Sequence, residues 1–137
     1  MLKTLMSRML LCCSFVYLWL AYSWATTPTQ SRLAGISWIP FPIDEKAIAV
    51  LWFAGSVFAL LGALRKKLII PVAVIPAIVP VLIALIFFGA WLDSGEVAQL
   101  TTVVSYAGFG ISQFIVASSP AAYMPTSWLE MDKHDEC

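Results

Sequence analysis

Charge is scarce in this sequence. Charged residues make up 12% of the 137, about half the roughly 25% usual in soluble domains. Hydrophobic residues make up 61%, and the mean hydropathy is +0.87. A soluble fold has too little polar surface here to cover its apolar runs. The eight basic and eight acidic residues cancel, so nothing draws the molecule as a whole to a nucleic acid or an anionic substrate.

Histidine and cysteine are equally thin. The one histidine, His134, sits in a charged tail with Asp132, Lys133, Asp135 and Glu136, where it reads as a solvated residue. Of the three cysteines, Cys12 and Cys13 are adjacent inside an apolar run and Cys137 is the last residue. That spacing suits no metal site, and an odd count makes no disulfide framework. No cofactor or metal is expected, no small-molecule substrate is suggested, and the chain holds no internal repeat or low-complexity tract.

What is present is a set of four apolar runs, at about 9–25, 47–64, 68–92 and 99–119. Each approaches or exceeds the ~20 residues that cross a bilayer as a helix. The expected fold is an all-α integral membrane protein, a single bundle of four transmembrane helices. The intervening parts are an external loop over 26–46, a tight turn at 65–67 and a tail from 120 to 137. The first run has a second reading. Its basic head with Lys3 and Arg8, its apolar centre and the small residues Ser23 and Ala25 also fit a cleavable signal peptide, which would leave three spans. Tyr17, Trp19, Tyr22 and Trp24 crowd toward the outer end of the run, as an interfacial aromatic belt does, and this favours a retained anchor.

Within these runs there is no Asp, Glu, Lys, Arg or His. Ion-coupled transporters and proton relays place ionisable groups at membrane depth, and small multidrug exporters carry a carboxylate in their first span. Intramembrane proteases need a Ser–His pair, paired Asp residues or a metal site. With none of these sets present, enzyme function is not expected.

Basic residues orient the bundle. Lys3, Arg8, Arg65, Lys66, Lys67 and Lys133 fall on one side and Arg32 and Lys46 on the other, so the positive-inside rule puts both termini and the Arg65, Lys66, Lys67 turn in the cytoplasm. The expected location is the cytoplasmic membrane. The basic triplet reads first as a topology determinant and also suits anionic headgroups.

Several patterns within the spans are candidates for function. Gly55, Ala59 and Ala63 recur every four residues in the second span, a face on which another helix backbone can approach closely; Trp52, Phe53 and Phe58 are then left to face lipid or fill gaps. Asp44 and Glu45 stand where carboxylates suit the positive end of that helix. The third span carries Pro71 in its first turn and Pro76 and Pro80 inside. The inner pair should kink it, as a static bend or a gating hinge. Asp93 and Glu96 have the spacing of a capping box. In the fourth span Thr101, Ser105, Gly108 and Ser112 form one stripe with Gln113 beside it. That stripe either bonds to neighbouring helices or lines a small aqueous path once copies assemble.

Trp38, Ile39, Pro40, Phe41 and Pro42, then Ala49, Val50, Leu51, Trp52 and Phe53, the basic turn and the proline-rich third span resemble small multi-span membrane proteins encoded by actinobacterial bacteriophages. The resemblance covers roughly residues 36–92. It implies either a holin-like role in permeabilising the host membrane or a role such as superinfection exclusion. Holin tails are often strongly basic, whereas residues 120–137 here hold four acids and one lysine. The expected function is non-enzymatic and works through helix association, with the bilayer and either further copies or another membrane protein as partners. The alternative is a regulatory or scaffolding subunit without a pore, and a third reading is a passive channel or transporter subunit.

Overall fold

Helix formation follows from local capping as much as from apolar length. The computed structural model describes residues 4–27, 29–40, 43–64 and 69–124, with backbone alone over 69–73. Five α-helices appear among them: α1 (Leu5–Thr26), α2 (Gln30–Ser37), α3 (Glu45–Leu64), α4 (Ile69–Ser94) and α5 (Val97–Ser118), followed by a 3₁₀ turn at Pro120–Tyr123. α1, α3, α5 and α4 from Val74 onward are long and apolar enough to cross a membrane. The Arg65, Lys66, Lys67 turn, Lys3, Phe41, Pro42 and the tail from 125 onward lie outside the described residues.

α1 starts earlier than the apolar run. Thr4 Oγ1 accepts the Ser7 main-chain N–H at 3.1 Å, an N-cap that extends the helix past Arg8. Asp44 caps α3 in the same way, its Oδ1 accepting from Ala47 N at 2.9 Å, and Glu45 follows in the first turn, as expected. The capping box expected at Asp93 and Glu96 does not form. Asp93 belongs to the last turn of α4, and Glu96 caps α5 without a side-chain bond. The reason is Gly95, whose φ of +69° stops α4 two residues beyond the apolar run, with its N–H donating to Trp91 O at 2.8 Å.

The loop expected over 26–46 contains α2. Thr29 caps it by accepting Arg32 N–H at 3.3 Å. Eight residues are too few for an independently stable helix, so packing holds it. Ile36 is buried, and Gly35 lies so close to the Phe87 ring that a Cβ there would overlap it. Trp38 then donates its indole N–H to Ile86 O at 3.0 Å, with its ring over Gly89. α2 thereby closes one end of the bundle.

The long helices pack most extensively as α1 with α3 and as α4 with α5, and α3 with α4 joins the two pairs. The core gathers Tyr17, Trp24, Trp52, Ile83 and Phe87, with a second cluster of Met6, Leu10, Cys13, Ala59, Ala63 and Ala122 at the other end. Trp52 is fully buried, so it fills the interior and does not face lipid, while Phe53 and Phe58 do point outward. The aromatic belt of α1 divides similarly. Tyr17 and Trp24, seven residues apart, share the buried face, and only Trp19 and Tyr22 are exposed.

Candidate functional site: a buried polar node, an outward stripe and a cleft at the end of the bundle

The small-residue face of α3 is spent inside the molecule. Gly55, Ala59 and Ala63 are all buried, and a Cβ at Gly55 would stand 3.0 Å from Tyr17 Cδ2 and 3.1 Å from Val79 Cγ2. Beside this face Ser56 Oγ donates to Ser14 O at 2.9 Å, with the two hydroxyls 3.2 Å apart. This is a direct polar link between α1 and α3.

Pro76 and Gln113 meet at Tyr17. The Tyr17 hydroxyl is 2.6 Å from Pro76 O and 2.8 Å from the Gln113 side-chain carbonyl position. One hydroxyl proton cannot serve both acceptors. Turning the Gln113 amide by half a rotation resolves this, and it also employs an Nε2 that otherwise has no partner. The chain of donation then runs from Gln113 N–H to the Tyr17 oxygen and from the Tyr17 O–H to Pro76 O. α4 remains one continuous α-helix through both prolines.

The α5 stripe is on the outside. Thr101, Ser105, Gly108 and Ser112 are all exposed, and a Cβ at Gly108 would meet nothing within 4 Å. Their hydroxyls turn back on their own helix: Thr101 to Val97 O at 3.1 Å, Ser105 to Thr101 O at 2.9 Å and Ser112 to Phe109 O at 2.8 Å. Instead, Gly110, off the stripe, lets α5 approach α4, its position closed by Val81 and the Ala77 carbonyl.

At the α2 end, Thr101 and Ser105 join Tyr106, Thr29, Ser31 and Arg32 around a cleft of about 350 Å³. Arg32 Nη1 donates to Ser23 Oγ at 2.8 Å, and its guanidinium carbon stands 5.0 Å from the centroid of the Trp24 ring. Gln99, almost wholly buried, ties α5 to α2 by donating to Ser31 O at 3.2 Å. No family model, curated protein or solved structure matches the chain.

Sequence patterning did not find Arg32 or Tyr17. For Arg32 the available signal was a lone cation in a short polar loop. For Tyr17 it was the seven-residue spacing to Trp24, which puts a phenol on a helix face that must be buried.

Proposed function

We propose that this chain is a non-enzymatic polytopic protein of the cytoplasmic membrane that acts by association through α5, copies of it assembling to permeabilise the membrane in a holin-like manner. The observation that carries this reading is the exposure of α5. Across its apolar stretch 11% is buried, against 39% for α1 and 44% for α3 and α4. Small and hydroxyl-bearing residues on that outward face permit close approach of a second helix in lipid. The interior of one copy is filled, since Tyr17, Trp24 and Trp52 have no exposed surface, so a solute path through the assembly runs between copies. The phage resemblance over residues 36–92 suits this reading and the second one below alike, and in this reading the basic turn and both termini face the cytoplasm.

One observation favours a second reading, a membrane-embedded interaction or regulatory subunit without a pore. The stripe hydroxyls are already satisfied by their own helix, which suits a dry helix–helix interface better than a water-lined one. Graded expression with a membrane-potential dye separates the two. Abrupt depolarisation at a threshold level of protein supports the permeabilising role. Stable accumulation with intact potential, and co-purification of one membrane partner, supports the second.

A further inference from the structure

We propose that the cleft between α2 and the first turns of α5 binds a phosphate-class oxyanion, carried by an anionic lipid headgroup or free in solution. The cleft is rich in unspent donors. A guanidinium offers five N–H groups, and only the bond to Ser23 engages one among the described residues. Thr29 Oγ1 accepts from Arg32 N, and its own proton has no acceptor among these residues. Ser31 and Tyr106 also line the cleft, and their hydroxyl protons have no acceptor among these residues. In contrast, Thr101, Thr102 and Ser105 direct their protons to main-chain oxygens of α5. Unspent donors are thus concentrated around Arg32.

Among the described residues no carboxylate lines the cleft to offset them. Asp44, Glu45, Asp93 and Glu96 belong to this end of the bundle by their places in α3, α4 and the start of α5, but none lines the cleft. A guanidinium next to hydrocarbon without an anion is unfavourable, and its planar fork matches two phosphate oxygens at once. The fork is pre-set. The Trp24 ring, with no exposed surface of its own, lies under it, and Ser23 fixes one nitrogen. The first turn of α2 adds the positive end of a helix. Gln99 holds Ser31, and with it α2, against α5. A volume of about 350 Å³ accommodates a headgroup, since small-ligand pockets begin near ~300 Å³.

The test uses the full chain in phosphatidylcholine nanodiscs. Phosphatidylglycerol is titrated in, with bound lipid counted by native mass spectrometry, and inorganic phosphate is titrated in parallel by calorimetry. The expected result is saturable binding of one of the two probes, weakened about tenfold or more in Arg32→Gln and less in Arg32→Lys, which keeps the charge and loses the fork. Phosphatidylglycerol binding without phosphate binding assigns the site to lipid, and Arg32-dependent phosphate binding assigns it to the free ion. Equal binding by wild type and Arg32→Gln, or no binding of either probe to wild type, overturns the proposal. If Arg32→Gln loses helicity, Tyr106→Phe and Ser31→Ala take its place, and unchanged affinity in both overturns it equally.

Discussion

The Tyr17 hydroxyl of α1 donates to the main-chain carbonyl of Pro76 in α4 at 2.6 Å. That carbonyl is the one that residue 80 would bond in an uninterrupted helix, and residue 80 is a proline without an N–H. A side chain 59 positions away in sequence therefore fills the gap made by Pro80. In a bilayer, where no water can do so, such gaps must be closed by protein.

Tyr17→Phe should destabilise the bundle by about 1–2 kcal/mol, since the carbonyl and the Gln113 amide both lose their partner in a buried site. Pro80→Ala restores an N–H to the helix, so the same tyrosine substitution should cost less in that background. Unfolding in mixed micelles by a denaturing detergent measures the double-mutant cycle. A coupling of about 0.5–1 kcal/mol is expected, and strictly additive losses would contradict the bond's role.

The Ser14–Ser56 link makes an ordered prediction. Ser56 Oγ donates to the Ser14 carbonyl and stands near the Ser14 hydroxyl. Ser56→Ala removes both contacts, whereas Ser14→Ala removes only the second, because the carbonyl remains. The loss for Ser56→Ala should be about 0.6 kcal/mol, with Ser14→Ala smaller and the double variant no worse than Ser56→Ala. The same micelle titration reads all three.

Span length belongs to each segment alone, and it was legible in the sequence. The runs at 47–64 and 99–119 fall within two residues of α3 and α5 at each end. Periodicity likewise shows which residues share a face, and the Gly55, Ala59, Ala63 face is intact. It cannot show what that face meets. The α5 stripe is a real stripe but points outward, and Gly110, outside it, makes the helix contact. Trp52 has the hydropathy of a lipid-facing residue, but packing against Tyr17 and Tyr106, at ring centroid distances of 5.0 and 5.6 Å, buries it. α2 was illegible because its stability resides in Phe87 and Gln99, more than 50 residues downstream in sequence.

Topology is checked by thiol labelling in a background without Cys12, Cys13 and Cys137. In sequence Ser37, exposed on α2, precedes α3 and Lys66 follows it. Ser37→Cys should react with an impermeant maleimide in intact cells held at low expression, and Lys66→Cys only after permeabilisation. The reverse pattern would invert the proposed orientation and leave the bundle itself untouched.

Gly55 and Gly108 separate folding from association. A side chain at Gly55 collides with Tyr17 and Val79, while one at Gly108 enters open space. Gly55→Val should therefore destabilise the single bundle by about 1–3 kcal/mol through overpacking. Gly108→Val should shift it by no more than ~0.5 kcal/mol. If α5 is the face through which copies meet, Gly108→Val should also abolish the oligomer seen by cross-linking in membranes and raise the expression level at which the potential collapses. The bulk of valine keeps two backbones from approaching, so the defect should lie in assembly with monomer unfolding unchanged. An unaltered threshold in Gly108→Val, with the protein present at wild-type levels, would move the working surface away from α5.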